Sequence, residues 1–366
     1  MIVIFCIFLY FHTCNDDIDA ESSDSTSKER YKTHYQIEKT NISGLRTNRS
    51  FFQSYVFIEN SSFLKSYAFG DNLAYGSGGA LYAQGSSVFI SQSVFISNWG
   101  IVGGALSVNN GEILIDGTEY FSEERQTNFG AHFFNNTASQ IAGSLYFARY
   151  GYLQFLTGII DDPLTLNEVK IRGFIRYSTF YESKSIKYSG ACAFVGIPEL
   201  YLFNIRALNN SSSEFGGAVL FYHSYATIKD SIFQNNNCTS HQKWFVGGGA
   251  ICFQGKSYSN GDNSPEGHEF VTERCCFGDN ECFPRQKGLD IVFNGICFWK
   301  SIYDVFQNRE LHAIHTINQK SKTMLYKGLT GTLFNRNKLE STCWNNSNTE
   351  DDGIFDDEID PEDFFV

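Results

Sequence analysis

The sequence predicts an all-β chain, a parallel β-helix solenoid with irregular loops. Three observations carry that expectation. A stencil of Phe-x-x-Asn, a short polar gap, then Gly-Gly-Ala and an apolar burst recurs along the chain. The pairs Gly78-Gly79 and Gly103-Gly104 lie 25 residues apart. Each such interval holds short apolar runs bounded by Gly, Ser and Asn, which read as strands between turns. A self-similar period of this size marks stacked repeats, because one repeat cannot bury its own apolar face.

The copies run in order. Phe57-Ile58-Glu59-Asn60 is an early half-copy. Phe69 and Asn72 precede Gly78, Gly79 and Ala80; Phe95 and Asn98 precede Gly103, Gly104 and Ala105. Phe133 and Asn136 precede Gly143. Ser189-Gly190-Ala191 keeps the glycine without a clear Phe-x-x-Asn. Asn209-Asn210 precedes Gly216-Gly217, Phe233 and Asn236 precede Gly248-Gly249, and Phe277 and Asn280 precede Gly288. Within one period Ala80–Ala83, Val88–Ile90 and Val94–Ile96 predict three short strands. Each coil then adds about 4.8 Å along the stack, the ordinary strand spacing.

Each residue type has a physical task. Gly permits positive φ and close backbone approach at a corner. Asn tolerates the left-handed conformation, bonds to neighbouring backbone and can stack into ladders. Phe supplies buried aromatic area suited to offset stacks. If φ is positive at Gly104, a Val there disrupts the corner. A leucine-rich repeat has an overlapping period, but Leu does not recur on its pattern here.

The paired Phe-x-x-Asn and Gly-Gly-Ala signals resemble the repeats of chlamydial polymorphic outer-membrane proteins and of trichomonad protist surface proteins. The resemblance spans roughly residues 57–294. It implies a single right-handed parallel β-helix of the pectin-lyase-like kind, with adhesion and surface exposure as its setting. The chain departs from the bacterial family in lacking a barrel-like sequence after the repeats. It departs from anchored protist relatives in lacking a C-terminal membrane helix.

Four segments are expected. Residues 1–14 read as a secretory signal peptide, since the apolar run from Ile2 to Phe11 is too short to span a bilayer. Residues 15–40 read as a disordered leader, 41–345 as the β-helix, and 346–366 as an acidic disordered tail. The repeat is hard to follow between Gly158 and Lys187, which predicts a degenerate coil with an insertion. Polar stretches at 117–126 and 257–272 are expected to be loops. Sequons at Asn41, Asn48, Asn60, Asn135, Asn209, Asn210, Asn237 and Asn345 are glycosylation candidates on a secretory route. Six of the ten cysteines cluster between Cys238 and Cys297. Disulfides and a stack of buried thiols are both open, with Cys252 and Cys297 on equivalent strands.

Composition excludes some function classes. The net charge is −12 and there is no basic patch, which argues against nucleic acid. No membrane span is expected in the mature chain. No cofactor or metal motif occurs: there is no Cys-x-x-Cys, His312 and His315 lack nearby partners, and Gly247-Gly248-Gly249 is a corner without a following Lys-Ser/Thr. Asp161-Asp162 is the best local carboxylate pair, but no basic partner pattern accompanies it, and it reads as a turn. The expected function is a non-enzymatic, secreted or cell-surface protein that binds a surface glycan or protein ligand. A divergent polysaccharide lyase or glycoside hydrolase, or a ligand-free scaffold, is the alternative.

Overall fold

A computed structural model describes residues 33 to 316, with breaks at 46–48, 69–76, 118–128, 150–170, 240–246 and 256–267 and shorter ones beyond 283. All described residues fall in one compact unit, Tyr31–Ile354. Among them every regular element is a β-strand, and the strands form sheets of 16, 9 and 7 strands. Pairing is parallel, except where Gln286–Lys287 runs antiparallel to Glu281–Phe283. Parallel strands in stacked sheets are what a β-helix or another solenoid would give.

One circuit shows how the sequence builds this. Leu81–Gln84 lies in the nine-stranded sheet, Ser87–Ser91 and Ser93–Ile96 in the sixteen-stranded one, and Trp99–Val102 in the seven-stranded one. The chain then returns to Leu106–Asn109, where Leu106 pairs with Leu81. Four strands, not three, make a circuit. Trp99–Val102 went unread because its alternation is short, with Gly100 and Val102 inward. Later circuits lengthen: Leu145 pairs with Leu106, and Cys192 with Leu145. The register resumes after each longer interval, so the period varies although the strand positions are kept.

Inward positions are set by strand alternation. In Ser54–Glu59, Val56 and Ile58 are buried while Tyr55, Phe57 and Glu59 face out. Phe63, Phe95, Phe133 and Phe180 stack as one inner column, with ring centroids 4.9, 4.8 and 4.8 Å apart and planes within 8°. The column breaks at Ala207 and resumes as Phe233, Phe277 and Phe306, at 5.2 and 4.9 Å. The ring spacing matches the strand spacing, so the stack follows from the register.

The glycine pairs divide their labour. Gly78, Gly103 and Gly216 have positive φ, and Ala142 and Ser189 hold the same place in their circuits with φ of 59° and 57°. The second glycine needs space rather than φ. A Cβ on Gly79, Gly104, Gly143, Gly190 or Gly217 would stand 1.9–2.1 Å from a carbonyl oxygen of the circuit above. The expectation for Gly104 is therefore corrected. Its φ is not positive; the backbone of Gly143 and Thr137 lies where its side chain would be. The next residue's carbonyl accepts two N–H groups, as Ala105 does from Ala80 and Leu81.

Several boundaries are also corrected. Thr33–Glu38, inside the expected leader, is a strand in register with Ser54–Glu59. His268–Glu273, which overlaps the end of the expected loop at 257–272, is a strand whose Phe270 is fully buried. Within the segment that was hard to follow, Arg172–Tyr181 is a ten-residue strand. It pairs with Glu112–Ile115 and with Ala131–Phe134, bending at Tyr177 with φ of 51°. Residues 1–14 and 346–366 lie outside the described residues.

Candidate functional site

The repeat residues themselves face inward. Asn98, Asn136, Asn210, Asn236 and Asn280 are buried at one corner. The Oδ1 of Asn136 accepts from the backbone N–H and the amide of Asn98, at 2.9 and 3.0 Å. Its Nδ2 donates to the carbonyl of Phe95 at 3.0 Å. Asn210, Asn236 and Asn280 repeat the pattern. Ser66 and Ser183 hold the same place in the circuits without Asn, each donating its N–H to the next Asn. The residue before each ladder member sits in the left-handed region: Lys65, Ser97, Asn135, Glu182, Asn209, Asn235 and Asp279.

This corrects three readings. The half-copy Phe57–Asn60 is out of register, because Phe57 faces out against Phe89 and Asn60 is an exposed corner. The ladder places before Gly78-Gly79 belong to Phe63 and Ser66; Phe69 and Asn72 lie outside the described residues. Asn210 is no glycan acceptor in the folded chain, since it is fully buried and its amide bonds Phe180 and Asn236. Asn41, Asn60 and Asn135 are exposed, and Asn209 and Asn237 half-buried. Asn48 and Asn345, like Asp161-Asp162, are outside the described residues.

What remains for recognition is the outer surface. An open groove of about 340 Å³ follows the outer corner of the first circuits. Lys39, Asn60 and Gln92 form one side; all three have left-handed φ of 46–48° and succeed one another in the stack. Asn41, Ser62 and Val94 form the other side. Phe129 closes one end. Its ring stacks on His132 at 4.0 Å, and His132 sits in register beside Val94. Burial, with help from the Arg206 charge, holds the His132 imidazole below its ordinary value, so it is neutral at pH 7. The groove thus offers amides, hydroxyls and an aromatic wall, with the Lys39 ammonium held by Glu38 at 3.0 Å. Among the described residues that line it, none carries a carboxylate.

A second outer feature lies on the sixteen-stranded sheet. Phe57 and Phe89 stack at 4.4 Å, and the same column continues through Leu114 and Phe174, both buried, to Tyr201. Two ion pairs flank it. Arg172 reaches Glu112 at 2.9 Å, and Arg176 clamps both oxygens of Asp116 while its guanidinium lies 5.4 Å from the Phe174 ring. Glu112 opens the strand Glu112–Ile115 and Asp116 directly follows it, four residues or about 13 Å along the extended chain. That exceeds the ~9.5 Å reach of an inverting glycosidase pair, and each carboxylate is already held by an arginine. Among the described residues no group of three or more His, Cys, Asp or Glu side chains is placed to hold a metal ion. Among them also, no helix is long and apolar enough to cross a membrane.

The groove was not legible in the sequence. Lys39, Gln92 and Phe129 share no motif, and only the stacking of three circuits brings them together. A faint signal exists: each of Lys39, Asn60 and Gln92 precedes a Ser or Thr that turns the chain inward. The cysteine alternatives resolve unevenly. Cys192, Cys238, Cys275 and Cys282 are buried thiols, whereas Cys276 is disulfide-bonded. Cys252 and Cys297 are not equivalent, since Cys252 pairs with Val292 in the nine-stranded sheet and Cys297 with His268 in the sixteen-stranded one. The chain matches no family model, no curated protein and no solved structure.

Proposed function

We propose that the chain is a single right-handed parallel β-helix of the pectin-lyase-like kind, acting as a non-enzymatic, secreted or surface-associated binding protein. The hand follows from the rule that parallel crossovers are right-handed in nearly all cases. The observation that carries the binding reading is the groove over the first circuits: amide and hydroxyl groups from Asn41, Asn60, Ser62 and Gln92 beside the Phe129 ring, without a carboxylate. Such a lining hydrogen-bonds sugar hydroxyls and stacks on a sugar face, and it lacks the acid–base pair that glycosidic cleavage needs. A neutral surface glycan is the favoured ligand class, since the Lys39 ammonium is already paired with Glu38 at 3.0 Å.

The experiment is retention of the purified chain on an array of immobilised glycans, scored also for cleavage. Retention without cleavage, weakened at least tenfold by Gln92→Ala combined with Phe129→Ala, is the expected result. Cleavage of the immobilised sugars would overturn the non-enzymatic reading. Retention unchanged by the double substitution would move the site elsewhere.

A further inference from the structure

Five strands of the seven-stranded sheet, from Thr137–Ile141 to Glu281–Phe283, carry the chain's short third side. The last two are three residues each: Asn237–Thr239 and Glu281–Phe283. They pair in parallel with Cys238 directly opposite Cys282. Both side chains are buried, 0% and 3% exposed, and form a small cluster with Val292. Parallel strands stand about 4.8 Å apart, within the 4.4–6.8 Å range of Cα separations that a disulfide bridges. Both are reduced thiols, and the Cys238 S–H donates to the Glu214 carbonyl at 3.1 Å. Gly247 leaves room for them, because a Cβ there would stand 2.7 Å from the Cys238 sulfur.

We infer that Cys238 and Cys282 are a cross-linking site, forming an inter-circuit disulfide when the chain folds in the presence of a disulfide oxidant such as oxidised glutathione. The two thiols differ in readiness. Contact with Cys238 and a hydrogen bond from the Gly247 backbone hold the Cys282 thiol below its ordinary value, while contact with Cys282 and burial push Cys238 up. Cys282 as thiolate attacks one sulfur of oxidised glutathione, forming a mixed disulfide and releasing one glutathione, which takes up the proton. Cys238 then loses its proton, attacks the Cys282 sulfur and releases the second glutathione. Two thiols are oxidised and one disulfide is reduced. The Cys238 bond to the Glu214 carbonyl, at 3.1 Å, is given up.

The staple would join two successive circuits on the seven-stranded sheet, beside its last partner, Gln286–Lys287, which has only two residues. It would also close the chain between Cys238 and Cys282 into one covalent loop. Cys276 is already disulfide-bonded, so the same chain holds oxidised sulfur one strand away. The inference is independent of the ligand reading above.

The test refolds the full chain with oxidised glutathione, blocks remaining thiols with iodoacetamide under denaturing conditions, and maps peptides by mass. The expected result is a peptide pair linked through Cys238 and Cys282 that disappears on reduction. A higher melting temperature is expected for the oxidised chain than for the reduced one, with a smaller difference in Cys282→Ser. Quantitative alkylation of both cysteines after refolding would overturn the inference. So would Cys238 linked instead to Cys252, whose charge also acts on it. The mapping uses the unsubstituted chain, so a variant that fails to fold leaves the answer intact.

Discussion

Replacing Asn136 with Ala should cost about 5 kcal/mol of unfolding free energy. The figure follows from what the side chain leaves behind. Its Oδ1 accepts from the Asn98 backbone N–H and from the Asn98 amide, and its Nδ2 donates to the Phe95 carbonyl. All of these groups are buried. Each buried polar group stranded by such a truncation costs about 1–3 kcal/mol, and the costs are not fully additive. The neighbouring Asn135 is the control. It is exposed, sits at φ of 50°, and makes only a 3.4 Å contact to Ser97, so Asn135→Ala should cost about 1 kcal/mol. Urea titration of both variants supplies the energies, with unchanged m-values showing that the same surface unfolds. Hydrogen exchange gives an independent reading, since the Asn98 amide should lose protection in Asn136→Ala. An Asn136→Ala midpoint within about 1 kcal/mol of the parent, with Asn98 still protected, would refute the ladder as a source of stability.

Three further predictions follow from the same packing. Phe133 is fully buried between Phe95 and Phe180 at 4.8 Å on each side, so Phe133→Ala should cost about 3–5 kcal/mol in a melt or titration. Gly104→Ala should be more damaging than Gly85→Ala by at least about 1 kcal/mol. The first meets the Gly143 carbonyl at 2.0 Å, while the second has nothing nearer than 3.6 Å and bears only the left-handed strain of about 1–2 kcal/mol. Asp290 gives a pH signature. Burial, the largest effect, pushes its carboxyl up from 3.8 to about 7, against the opposing bond from Asn280. The folded chain therefore holds the proton more tightly than the unfolded one. That contribution is fully present below pH 3.8 and is lost as pH rises through about 7, amounting to at most about 4 kcal/mol. Asp290→Asn keeps an acceptor for Asn280 and should flatten that slope between pH 4 and 7; an identical slope in both proteins would contradict the assignment.

The sequence made the stack legible and left its register partly hidden. Phe95, Asn98, Gly103 and Gly104 stand in the places their spacing implied, because those places admit few residue types. The inner column needs a large flat ring, the ladder an amide, and the close approach a residue without Cβ. Where chemistry relaxes, the pattern fades. Ser66 and Ser183 serve in place of Asn because the essential act there is to donate a backbone N–H. Ser144 and Asp290 stand where Ala105 and Ala250 stand elsewhere, and both use side-chain oxygen to accept from a ladder amide. Ala207 fills a Phe position, so the copy around Asn210 looked incomplete. Phe57 and Phe89 misled because outward rings stack as readily as inward ones. The outer groove left only the faint signal of a Ser or Thr after Lys39, Asn60 and Gln92, since its walls come from three circuits whose lengths differ.

The measurement that tests the stacked architecture most directly is an electron–electron distance along the exposed corner. Lys65, Ser97, Asn135, Glu182, Asn209 and Asn235 succeed one another through backbone bonds, one circuit each. Lys65 and Asn235 are both exposed and can carry spin labels after substitution by Cys. Five circuits at about 4.8 Å each place them about 24 Å apart, although 170 residues of chain separate them. A narrow distribution near that value, shortening by about one strand spacing when the label moves from Asn235 to Asn209, is the predicted result. A broad distribution, or a distance that ignores that one-circuit move, would contradict the account.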